Sequence, residues 1–452
     1  MSATEYRPPA DIWQVNQQLH FDEPLEVDDP RFVHTEKGRG DFSFARLLRW
    51  LGVQPDADPA RWQVKLPPKN QYAVFCGHRG CGKSTELRRL GRNLHRNDLF
   101  FVVQLDVVRR LDPHDLQYPE LLLALAHALC EALEERHISL DQVFLDNLTS
   151  WFDERIEKRA ETQNFAIELK AGAKAKTGLP FIATLFAGLS ASFKNNSTYT
   201  SELRAIVKNS YAQFARALDQ LLSAAEFQIQ QQGLGQTLLF IIDGTDRLSE
   251  EDSRRLFVDD VYQLQQVRSN FIYCAPIQMI YEGNQVRQSF EHFVLPMIKL
   301  TDKRGAQENP EGYEALRNLV LRRAAAELFD NPATLDYLIR HSGGSPRELI
   351  RLLSYTFQYS SSELFDAEAA RRAVEALATD YRRFLKTEDY ALLYQIDQSA
   401  DAELDKNDER IRFLLLHLAL LEYNGFWWRS HPAVQTLGGY LQQAQTQPAR
   451  TE

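Results

Sequence analysis

Residues 77–85 read GHRGCGKST, and no other stretch constrains this chain as strongly. The pattern G-x4-G-K-[ST] is met by Gly77, Gly82, Lys83 and Ser84. Glycines at such points let the backbone curl until successive N–H groups face inward as a nest for an anion. A helix starting near Lys83 aims the positive end of its dipole at the same point. The Lys83 ammonium is then the mobile cation for the β- and γ-phosphates of a nucleotide, and the Ser84 hydroxyl a ligand for Mg2+. The backbone of His78, Arg79, Gly80, Cys81 and Thr85 completes the binding set, and Cys81 need only be small. ATP with Mg2+ is the expected cofactor pair.

Context gives the pattern its meaning. Residues 71–75 (QYAVF) form a short apolar strand running straight into the loop, and the stretch after it keeps Leu87, Leu90 and Leu94 on one helical face. Residues 100–107 (FFVVQLDV), 238–243 (LLFIID), 270–275 (NFIYCA) and 293–300 continue the series as strands separated by helical segments. That alternation implies a parallel sheet with the phosphate site at its carboxyl edge. The partner motif is LLFIIDGTDRL, residues 238–248. An apolar strand ending in an acid suits Asp243 to Mg2+, and Asp246, one short turn later, to orienting or deprotonating the attacking water. DGTD is also good turn chemistry, which is the plainer reading of Asp246.

Together, GHRGCGKST and IIDGTDRL resemble the STAND and KAP branches of P-loop ATPases, relatives of AAA+ proteins that include NACHT and NB-ARC switches. Typical AAA+ proteins carry Asp-Glu in the second motif, whereas Gly244 follows Asp243 here, so the resemblance implies slow turnover and a switch. Residues 341–353 (HSGGSPRELIRLL) look like the lid segment of such ATPases, which implies that Arg347 senses the γ-phosphate. The last segment resembles the winged-helix domain that closes many STAND proteins. Its His431 falls where some relatives hold the diphosphate, although a packing histidine beside two tryptophans is the plainer reading. The resemblance further implies a homo-oligomer acting through a separately encoded effector, as in bacterial defence against phage. The competing reading is a DNA-associated ATPase like those of origin recognition or transposition, with the winged helix on DNA.

Bulk properties bound these readings. The 452 residues suggest roughly two to four folding units. With 62 acidic against 52 basic residues the formal charge is −10, which disfavours nucleic acid unless a local basic patch supplies the contact. The four cysteines form no CxxC pair and read as reduced thiols of a cytoplasmic protein. Residues 121–133 are apolar but too short to span a bilayer, so no membrane anchor is expected. Between residues 165 and 194 apolar and polar or small residues alternate with period two, a hairpin signature. Its second arm, residues 179–193, carries no charge on either face and predicts an edge in need of a cover. The expected architecture is α/β: an arm and linker over 1–66, a parallel-sheet P-loop NTPase core over 67–300 with a β-hairpin insertion at 165–194, a helical lid over 301–378 and a winged-helix domain over 379–452.

Overall fold

The structure is a computed structural model that describes residues 6–40, 42, 44–66, 68–157, 162, 164, 166–168, 170, 178–194, 199–282, 284–303, 305–399, 404, 408–424 and 427–446. The chain gathers into two compact units, neither continuous in sequence. One holds Phe44–Cys76 and Glu86–Phe293; the other holds Met1–Ser43, Gly77–Thr85 and Val294–Glu452.

The first unit is α/β. After a two-stranded antiparallel ladder, β1 (Val53–Gln54) with β2 (Gln63–Val64), come the strands of a five-stranded parallel sheet. These are β3 (Tyr72–Gly77), β4 (Phe100–Asp106), β5 (Thr237–Asp243), β6 (Asn270–Pro276) and β7 (Glu291–Val294), ordered β4-β5-β6-β3-β7. Strand β6 is buried along its whole length, as expected of a strand covered on both faces. Phe271 stacks between Phe240 (5.0 Å) and Tyr72 (5.6 Å), tying three neighbouring strands together through one aromatic column. The fifth strand is shorter than the run of 293–300 predicts. It stops at Val294, just ahead of Pro296, which has no N–H for a ladder.

The hairpin expected at 165–194 is corrected. Leu179–Lys194 is a single α-helix, and residues 166–168 and 170 are helical too; the remainder of the first arm falls outside the described residues. Leu and Ala are strong helix formers, and the alternation also satisfies a helical spacing: Ile182, Phe186, Leu189 and Phe193 recur at three and four residues and are all buried. Gly178, at φ +66°, turns the chain into the helix, and Pro180 stands in its first turn. The helix packs on Tyr118–Glu135, itself buried along most of its length. The uncharged face is therefore covered by the unit's own core, which removes the expected interaction edge.

Among the described residues the second unit is largely helical, with one small two-stranded ladder and two isolated β-bridges. Its helices include Pro310–Leu321, Pro332–His341, Pro346–Tyr359, Ala367–Arg382, Thr387–Gln398 and Glu409–Leu416. The SGGSP punctuation works through backbone: Gly343 and Gly344 adopt φ of +63° and +79°, and the Ser345 side chain then caps the next helix by accepting from the Glu348 N–H. An antiparallel pair follows, β8 (Leu420–Tyr423) with β9 (Trp427–Ser430). The amino-terminal arm lies on this unit. Trp13 meets Phe357 edge-on at 5.0 Å, and the Ser354 hydroxyl donates to Asn16 Oδ1. Among the described residues no helix is long and apolar enough to cross a membrane.

Candidate phosphate-binding site

Strand β3 ends at Gly77 and the helix Lys83–Leu94 begins at Lys83, so the glycine-rich stretch is the strand-to-helix turn its sequence predicts. Gly80 and Gly82 adopt φ of +82° and +105°, a region that costs an L residue about 1–2 kcal/mol. Gly77 is required by space instead: a Cβ there would lie 2.7 Å from Leu295 O and 2.9 Å from Cys81 Sγ. Lys83 is buried, and its ammonium donates to Gly77 O and His78 O, each at 2.9 Å. The cation is thus held within its own loop, within reach of the curl it closes.

The rest of the second unit engages this loop from three stretches of chain. From the arm, Leu25 N–H donates to Thr85 Oγ1 at 3.2 Å. Arg39, only 2% exposed, donates to Thr35 Oγ1, to Pro296 O and, at 2.6 Å, to Cys81 O. From the helix Pro346–Tyr359, the Arg347 N–H donates to Gly80 O at 3.3 Å, and a Cβ on Gly80 would come within 2.5 Å of Arg347 Cβ. The Arg347 guanidinium meanwhile donates to Phe21 O and lies 3.4 Å from Asp22 Oδ1. From the carboxyl-terminal segment, Leu415 O and the Glu422 N–H hold the His78 ring. Burial, then the nearby Lys83 ammonium, pushes the His78 pKa down to about 3, so the ring is neutral at any ordinary pH.

His431 caps a short helix from inside the second unit. It is fully buried, its Nδ1 accepts from the Ala433 N–H as the cap of Pro432–Gln435, and its ring lies 4.8 Å from Tyr381. Burial pushes its pKa down to about 3.

The acids of the second motif lie in the first unit, at the carboxyl end of β5. Asp243 Oδ1 accepts from the Gly244 N–H at 2.9 Å, and Gly244 turns at φ +87° where a Cβ would meet Val108 Cγ2 at 2.9 Å. The turn Thr245–Arg247 follows, its Thr245 hydroxyl donating to Cys274 O on β6. One ligand atom each from Asp243, Asp246 and Cys274 lies within 4.8 Å of the other two. Carboxylates gathered this closely repel one another, and a hard divalent cation relieves that repulsion. On the neighbouring strand the β4–β5 register pairs Asp106 with Asp243. The Asp106 carboxylate caps Val107–Arg110 and lies 3.6 Å from the Arg88 guanidinium.

The structure thus brings Arg347 to the loop Gly77–Thr85, and Asp243 to Asp246. The loop Gly77–Thr85, with Ser84, belongs to one unit and Asp243 to the other. Three residues escaped the sequence reading. Asp106 carried a legible signal, since FFVVQLD ends in an acid just as LLFIID does. Arg39 and the His78 side chain carried none. A comparison with known protein families and with curated proteins returns no match.

Proposed function

We propose that this chain is an ATP-dependent molecular switch of the STAND type. It would bind ATP with Mg2+ at the loop Gly77–Thr85, hydrolyse it slowly, and assemble with copies of itself or engage a separately encoded effector while ATP is bound. The observation that carries this reading is the loop itself. It has the strand-to-helix setting and positive-φ glycines that a phosphate nest needs, and its carbonyls and side chains are bonded by the arm, by Arg347 and by the carboxyl-terminal segment. Segments that grip a ligand-binding loop have a direct way to respond to its ligand. In this reading the helices of 301–378 serve as the lid and the segment 379–452 as the winged helix.

Lys83 and Ser84 would contact the β/γ-phosphates and Mg2+, Asp243 would hold Mg2+, and Asp246 would position the attacking water. Bound Mg2+ would neutralise charge developing on the phosphates. Asp246→Asn keeps the size of the side chain and removes its basicity, so turnover should fall about 10²- to 10⁴-fold with ATP affinity unchanged. Wild-type turnover in that variant would move the base to another residue.

The switch itself is tested by light scattering with a non-hydrolysable ATP analogue and with ADP. Wild type should change assembly state or compactness with the analogue alone. Arg347→Ala should bind both nucleotides and respond to neither, because it lacks the guanidinium that would exchange Phe21 O and Asp22 for a γ-phosphate. A normal response in Arg347→Ala places the sensor elsewhere, and no response in wild type removes the switch.

A further inference from the structure

His78 stands at the second position of the phosphate loop, where binding falls to the backbone and the side chain has no assigned task. Its ring is nonetheless only 1% exposed and bonded at both nitrogens. Nε2 accepts from the Glu422 N–H on β8 at 2.7 Å, which leaves the proton of the neutral ring on Nδ1; Nδ1–H donates to Leu415 O at 3.2 Å. Leu415 lies in the last turn of the helix Glu409–Leu416 and Glu422 lies on the strand after it, with Leu418 turning the chain at φ +62° between them. The ring therefore bridges two consecutive elements of the carboxyl-terminal segment. The same residue's carbonyl accepts from the Lys83 ammonium. One residue thus has its side chain fixed by β8 and its carbonyl bonded by the loop's cation.

We infer that His78 is a positioning residue that couples the phosphate loop to the carboxyl-terminal β8–β9 segment, so that nucleotide at the loop and the seating of β8 depend on one another. This rests on the nucleotide reading of the loop given above. If Lys83 turns toward β/γ-phosphates, its bond to His78 O is exchanged for one to the ligand, and the peptide carrying the ring is released to shift. Because the ring has no slack at either nitrogen, a shift of the peptide is felt at Leu415 and Glu422. Linkage makes the effect reciprocal: whatever displaces β8 alters nucleotide affinity by the same factor by which nucleotide alters β8. Since the ring stays neutral, its two hydrogen bonds do not change with pH across the neutral range.

The test is hydrogen exchange at the amides of Leu420–Tyr423, with and without a non-hydrolysable ATP analogue whose binding is measured separately by calorimetry. In wild type the analogue should change exchange at β8. In His78→Ala the Glu422 amide loses its acceptor and should exchange about five- to tenfold faster without ligand. The analogue should still bind to that variant and leave β8 unaltered. His78→Gln, whose carboxamide can accept from the Glu422 N–H, should restore part of the response. His78→Phe fills the space without either bond and should not; it also serves if the alanine variant fails to fold. A residue that merely fills space would lose stability on truncation, yet phenylalanine would leave the nucleotide-dependent difference intact. A response of wild-type size in His78→Ala or His78→Phe overturns the coupling and leaves the nucleotide reading standing. Failure of the analogue to bind wild type overturns the nucleotide reading and the coupling with it.

Discussion

Lys83→Ala is expected to weaken ATP binding about ten- to a hundredfold, measured by calorimetric titration. In the proposed reading the ammonium would meet the β- and γ-phosphates, and a hydrogen bond to a charged group contributes about 1.5–3 kcal/mol. In the structure the ammonium donates to Gly77 O and His78 O, so alanine also removes two internal bonds from the loop. Thermal melting without nucleotide separates the two effects. A modest loss of stability with a large loss of affinity is the expected pattern. A variant that binds ATP and turns it over like wild type would end the ATPase reading altogether.

Asp243→Ala should behave in the opposite way, sparing most ATP affinity while Mg2+-dependent hydrolysis falls about 10²- to 10³-fold, the usual scale for losing one group that stabilises charge in a transition state. The carboxylate also receives the Gly244 N–H and so shapes the turn that carries Asp246. Asp243→Asn keeps that acceptor and is the cleaner probe of the charge. With either substitution the melting temperature should lose its response to added Mg2+, because the cation no longer relieves the crowding of Asp243 against Asp246. Steady-state hydrolysis and melting curves over a Mg2+ series decide it, and retained Mg2+-dependent turnover would transfer the metal to other ligands.

What the sequence made legible was local. The loop announces itself because its glycines are needed by its own φ angles, and β5 because an unbroken apolar run ends in an acid. The hairpin failed for an equally local reason. Leu-Ala alternation satisfies a period of two and of 3.6 together, and the helix Tyr118–Glu135, which decides between them, lies some fifty residues earlier in the chain. Arg39 and His78 were out of reach in principle. The guanidinium bonds Cys81 O at a separation of 42 residues, and the imidazole bonds Leu415 O at 337. No window of sequence spans those pairs. The acid Asp106 was within reach, but its importance follows from register with Asp243, which only strand order supplies.

The assembly of the loop's unit from three separate stretches has a consequence for the order in which the protein matures. During synthesis the ribosome releases the amino end first, so every residue of the sheet unit, through Phe293, has been made before Leu415 exists. The contacts that hold His78 close across 337 and 344 residues, among the most distant pairings the chain makes. Long closures are slow to find and add little until both ends are in place. A nascent chain therefore carries the loop Gly77–Thr85 without its carboxyl-terminal partner for most of its elongation. The segment that holds the His78 ring, from Leu415 onward, is thus the last part of this unit to be made.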